Sequence, residues 1–131
     1  MIWFKFKNYL KYIYKAKNEY SIHSPFMFET YLKCIKGKTE KEMIEKLNER
    51  FKCEVLNMPL NTNMEEYVLN TLKSKNPCMF YLKRIYRDRE TFKQWEYLRQ
   101  QKCITLDINF YYAGLILVKN GLKRQSYILK R

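Results

Sequence analysis

The sequence predicts an α/β fold built on a mixed sheet, and four observations carry that prediction. The run Cys78-Met79-Phe80-Tyr81-Leu82, set off by an Asn76-Pro77 break, is apolar without alternation, as a strand buried on both faces would be. Asp88 follows as a helix cap, and Phe92, Trp95 and Leu98 recur at three-residue steps along one helical face. Two capping boxes, Thr39 with Glu42 and Thr62 with Glu65, open helices on either side of a short strand. Residues 103–108 then alternate as a strand, and Asn120-Gly121 further on is a hairpin-turn signature. In such sheets the loop after a buried strand's carboxyl end is where ligands settle. Here that loop offers Lys83, Arg84 and Arg87 and no carboxylate pair, which makes these three the candidate site for an anion or an acidic partner.

In chain order, residues 2–18 read as a helix with Trp3, Phe6, Leu10, Ile13 and Tyr14 toward one side. Lys7, Lys11 and Lys15 form a row on another. The aromatics are not confined to one stripe, which favours a helix lying over the core over one floating on a membrane surface. Ser24-Pro25 is a helix start: a capping hydroxyl, then the residue whose missing N–H costs nothing at the first helical position. That helix should run to about Lys36 and end at Gly37 in a left-handed cap. His23 is the only histidine, and no Cys or carboxylate lies near it in sequence. A lone histidine beside a helix start is more often a structural hydrogen-bonding residue than a catalyst.

The Thr39 box opens a helix with Met43, Ile44, Leu47 and Phe51 on one side, and the strand Lys52 to Leu56 follows. Residues 57–61 read as a loop, and the Thr62 box opens a helix carrying Met64, Tyr67, Val68 and Leu72. After the buried strand, read as central, and the Trp95 helix, residues 103–108 alternate as a strand and 111–114 bend the chain. A strand over 115–119 then turns at Asn120-Gly121 into a closing strand over 125–129. The sum is two parallel strands, then an antiparallel C-terminal hairpin, with extra N-terminal helices.

At 131 residues, 47% of them apolar, the chain is expected to form a single domain with a real core. No run approaches the ~18 apolar residues of a membrane span, so no membrane is expected as partner. The first residues interleave Lys with aromatics, unlike a signal peptide. Cys34, Cys53, Cys78 and Cys103 stand apart among apolar neighbours, the pattern of reduced core thiols, and the expected location is cytoplasmic. The net charge of +13 is unevenly placed. Residues 1–38 hold eight Lys against two Glu, 83–102 hold seven basic residues against three acids, and 119–131 hold five and none. Such clustering attracts nucleic acid or anionic surfaces, and it is also what a solvated Lys-rich surface looks like.

Ile22-His23-Ser24-Pro25-Phe26 after a basic helix resembles the opening of a bacterial group of class I S-adenosylmethionine-dependent methyltransferases. The C-terminal half is similar to the same group. There a strand leads into Asp-Asp-Ile-His, with a Trp twelve residues after the first Asp; Lys83-Arg84-Ile85-Tyr86 and Trp95 keep that spacing. The segment from Ile108 through Asn109 to Gly114, with Ser126-Tyr127-Ile128-Leu129 at the end, resembles the group's final strands, where Asp is expected at Asn109. His23, Ser24, Pro25, Phe26, Trp95 and Gly114 therefore carry the family motif. The resemblance covers roughly residues 8–36 and 52–131. It implies a partial Rossmann-like methyltransferase sheet, with an N-terminal helical segment over 1–38 and a remnant of the family's C-terminal half over 39–131.

The resemblance also implies what is missing. The family holds its cofactor with a Gly-rich turn after the first strand and an acid on the ribose after the second; the glycines let backbone approach the ligand. Between Lys36 and Phe51 there is room for one helix, and Gly37 is the single glycine. Where the family has Asp-Gly-x-His after its fourth strand, this chain has Asn57-Met58-Pro59-Leu60. No cofactor, metal or catalytic residue is expected. The expectation is a non-catalytic remnant of the methyltransferase fold, serving as a structural or protein-interaction module. The alternatives are a basic RNA-binding module, with Lys and Arg on phosphates and Tyr as stacking groups, and one part of a split methyltransferase whose partner supplies the missing half. Loss of the family's first strand also implies that Lys52 to Leu56 lies at the sheet border, where either the N-terminal helices cover it and keep a monomer or two copies pair into a homodimer, the outcome favoured here.

Overall fold

The computed structural model describes residues 2–15 and 24–130, with side chains over 4–12 and 24–130. A five-stranded sheet in the order β1-β2-β4-β3-β5 forms the middle layer of an α/β fold. β1 (Val55–Pro59) and β2 (Cys78–Lys83) are parallel, with α4 (Glu65–Ser74) between them in sequence. β4 (Ala113–Val118) runs antiparallel between β2 and β3 (Leu106–Asn109), and β5 (Gln125–Ile128) lies parallel to β3 at the far border. α1 (Ile2–Lys15), α2 (Pro25–Thr30) and α3 (Glu40–Phe51) precede the sheet, and α5 (Arg89–Arg99) joins β2 to β3.

Successive residues of β2 and β4 face opposite ways, so the sheet has two dry faces. Met79, Tyr81, Leu115 and Leu117 pack with residues of α2 and α3, among them Met27, Met43 and Leu47. Phe80, Leu82 and Ile116 pack on the other side with Val68 and Leu72 of α4 and Trp95 and Leu98 of α5. A strand covered on both faces has no place for alternation, which explains the unbroken apolar run over β2.

Most helix ends follow the local signals. Ser24 Oγ accepts from the Met27 N–H at 3.3 Å with Pro25 in the first turn, and the helix passes into a π-helical turn, Tyr31–Ile35, before Gly37 at φ +70°. The Thr39 box forms in both directions, at 3.2 and 3.3 Å, and Asp88 Oδ1 accepts from the Thr91 N–H at 2.8 Å to cap α5. The second box does not form. Asn61 Oδ1 takes the Asn63 N–H at 3.0 Å instead, and a 3-10 turn, Thr62–Met64, precedes α4. Asn outranks Thr as a cap and captures the backbone one residue earlier.

Three strand expectations are corrected. Lys52 is the left-handed cap of α3 (φ +52°), so the first strand begins at Val55 and takes in most of the expected loop. Its Pro59 is tolerated because β1 is a border strand. The expected hairpin about Asn120-Gly121 is absent: β4 pairs with β2 and β3, and beyond the turn the chain crosses to the outer side of β3. The antiparallel hairpin is β3–β4. β4 is also the central strand, not β2, because its six residues are all buried, whereas β5 is half-exposed as a border strand should be.

On α1, Phe6 and Leu10 are half-exposed instead of facing the core. The inward stripe is Phe4, Asn8 and Tyr12; Phe4 meets Phe92, and the Tyr12 hydroxyl donates to Leu129 O at 2.7 Å. Cys34, Cys53 and Cys78 are buried free thiols, as the sequence led us to expect. His23 lies outside the described residues, as do the side chains of Trp3, Ile13 and Tyr14. Among the described residues no helix is long and apolar enough to cross a membrane.

Candidate functional site: a basic aromatic cleft

β2 delivers Lys83 and Arg84 to the carboxyl end of the sheet and then separates them. Lys83 Nζ turns to Glu40 Oε1, 3.5 Å away on α3. Arg84 takes φ +62°, a left-handed conformation that is unfavourable for a residue with a Cβ. Its N–H donates to Tyr112 O at 2.7 Å, which ties the loop after β2 to the β3–β4 tip. Tyr111 at that tip has φ +74°. Asn109 shapes the bend: its Oδ1 accepts from the Tyr111 N–H at 2.7 Å, and its Nδ2 donates to the Tyr86 hydroxyl oxygen at 2.8 Å. Of the three non-glycine residues at positive φ among the described residues, two therefore face one cleft; the third, Lys52, is a helix cap. Strained backbone of this kind concentrates at functional sites.

The cleft encloses about 280 Å3 and is lined by Lys5, Arg84, Tyr86, Arg87, Tyr111 and Tyr112. Tyr86 is sandwiched between Phe92 (centroids 4.7 Å apart, planes at 19°) and Tyr111 (4.9 Å, 18°). The Tyr111 hydroxyl donates to Lys5 O at 3.0 Å, and Tyr9 packs edge-on against the same ring at 5.0 Å, so α1 is docked on the stack. Burial pushes the Tyr86 and Tyr111 phenols up, so both stay neutral and act as walls. Tyr112 stands at the rim, 69% exposed.

None of the six lining residues is acidic. Arg84 is exposed, and its guanidinium makes no hydrogen bond or ion pair among the described residues. Arg87 is partly engaged: Nε lies 3.5 Å from Asp88 Oδ2, and Nη2 donates to Thr91 Oγ1 at 3.1 Å. The Thr91 backbone N–H holds the Asp88 carboxyl below its usual range. Guanidinium groups so placed can fork onto a phosphate or carboxylate.

A neighbouring pocket under α1 contains buried Asp107, which accepts from Ser126 Oγ at 2.8 Å and Arg124 Nη2 at 2.7 Å. Burial pushes its carboxyl up against the pull of these partners. Its oxygens are consumed in clasping the segment around β5 to β3, so it is a structural group.

The motif residues divide. Ser24 and Pro25 start α2, and the Phe26 ring lies under the Arg50 guanidinium at 4.5 Å and edge-on to Phe51; none of them lines the cleft. Trp95 and Gly114 are brought together: a Cβ on Gly114 would stand 2.3 Å from the Trp95 ring. Of the predicted trio, Arg84 and Arg87 share the cleft and Lys83 does not. Lys5, Tyr86, Tyr111 and Tyr112 were missed; the usable signal was Asn109 two residues before Tyr111, an Asx-turn spacing.

The chain matches no family model, no curated protein and no solved structure. The functional reading accordingly rests on the geometry of this cleft and on the sequence motifs.

Proposed function

We propose that the chain is a non-catalytic binding module built on part of a methyltransferase-like sheet, and that its working surface is the cleft after β2. One observation carries this: where the resemblance implies paired acids, Lys83 and Arg84 stand, and Arg84 joins Lys5 and Arg87 around a cleft without an acidic lining residue. Cations without a carboxylate or imidazole supply neither a general base nor metal ligands, whereas they do supply charge-assisted hydrogen bonds to an anion. Parallel β1 and β2 joined through α4, and Trp95 seated on Gly114, support the relationship to the parent fold. In this reading the Gly-rich turn and the ribose acid are lost, so the chain does not hold S-adenosylmethionine. The partner is an anionic macromolecule. A second copy pairs along border strand β1, and free thiols, with burial pushing Cys78 up to about 11, suit the cytoplasm.

Paired calorimetric titrations test the reading. Tripolyphosphate should bind, and S-adenosylmethionine should give no saturable heat. A micromolar dissociation constant for S-adenosylmethionine, or no binding of tripolyphosphate, would refute it.

A further inference from the structure

We propose that the cleft takes single-stranded nucleic acid, with phosphates on Arg84, Arg87 and Lys5 and a base stacked on Tyr112; this rests on the anion-binding reading above and names its ligand. Burial does not hold Tyr112 in place. The residue is 69% exposed, yet its backbone carbonyl accepts from the Arg84 N–H at 2.7 Å, and its ring stands edge-on to Tyr111 at 5.1 Å and 89°. An aromatic face held in water beside two guanidinium groups is what a base and its phosphate require together.

A second feature extends the site beyond a lone anion. On the opposite flank of α1 a cleft of about 270 Å3 is bordered by Lys7, Lys11, Arg89 and Lys93, with Phe4 and Phe92 as walls and again no acid. The stack Phe92–Tyr86–Tyr111 runs from this cleft to the first. A single phosphate needs one cluster of cations. Two clusters fit a chain of repeating phosphates, and the exposed Tyr112 beside the first fits a planar base. An acidic peptide would satisfy the cations but leave the exposed Tyr112 ring without a role, and in a duplex the bases are stacked on one another and unavailable to it.

The test is fluorescence anisotropy of a labelled oligouridylate of about twelve nucleotides, long enough for one such site, on the full chain. Heparin, polyglutamate and an RNA duplex of the same length are titrated in parallel. Oligouridylate should bind more tightly than polyglutamate. With three to four phosphates engaged, log Kd should rise with log salt at a slope of about 2 to 3. Tyr112→Ala should weaken oligouridylate about tenfold, the loss of one stacked base, and leave heparin unchanged, while Tyr112→Phe restores binding. Arg84→Glu with Arg87→Glu should weaken both, with melting curves confirming that each variant folds. If Tyr112→Ala has no effect on oligouridylate, or polyglutamate or the duplex binds as tightly, the single-strand assignment is overturned and the anion site stands. If the double charge reversal changes neither ligand, both are overturned.

Discussion

Asp88 serves two neighbours at once, as cap of α5 through Oδ1 and as a counter-charge 3.5 Å from Arg87 through Oδ2. Hydrogen bonding to Thr91 lowers its folded-state pKa, so its contribution to stability is present above the ordinary carboxylate range and is lost as pH falls through the lowered value. Asp88→Ala should cost about 1 kcal/mol at neutral pH, and its gap in melting temperature to the parent should narrow in acid, where the protonated carboxyl keeps only a neutral capping oxygen. A gap that does not narrow as the solution is acidified would contradict the part that the carboxylate's charge plays in the cap. Asp88→Asn keeps a capping oxygen while taking the carboxylate from Arg87. Stability should hold and tripolyphosphate should bind about twofold more tightly, as release from a surface ion pair allows; weaker binding would mean that Arg87 does not meet the ligand. Gly114 offers a second test, since any Cβ there enters the Trp95 ring. Gly114→Ala should destabilise by about 1–3 kcal/mol through overpacking and shift Trp95 emission; an unchanged melt would show that the ring moves aside freely. Residue chemistry was legible where it acts locally, as at Ser24, Thr39 and Asp88. It was not legible at Lys83, whose partner Glu40 lies on another element.

At the scale of elements, β2 and α5 were readable because burial on two faces and on one face leave different periodicities. The partner of β4 was not. Asn120-Gly121 announces a reversal, but which strand lies alongside is decided by burial: Ala113–Val118 can be covered only inside the sheet, and Gln125–Ile128 tolerates a border. The expected border position of the first strand fits the observed order even though its residues shifted to Val55–Pro59. Its outer side offers backbone groups to a second β1, with Pro59 shortening the run that can pair. Sedimentation at micromolar concentration should show a dimer that Val55→Pro dissociates in a chain retaining its helical circular dichroism. A monomeric mass, or a dimer indifferent to that substitution, would rule out pairing through this strand.

Over the whole molecule, a charge of +13 announced an appetite for anions without saying where. The cleft draws Lys5 from α1, Arg84 and Arg87 from the loop after β2, and Tyr111 and Tyr112 from the β3–β4 tip, positions that only the folded sheet brings together. The central claim is that this cleft, and not diffuse charge, binds the anion. The direct measurement compares two variants of equal net charge by calorimetry with tripolyphosphate: Arg84→Glu with Arg87→Glu, and Lys75→Glu with Lys123→Glu, both exposed, at the other end of β2 and outside the cleft lining. The account predicts that the first pair weakens binding at least about tenfold, as loss of two charge-assisted contacts should, and that the second changes it less than about twofold, as screened distant charges should. Equal losses in both pairs would contradict it.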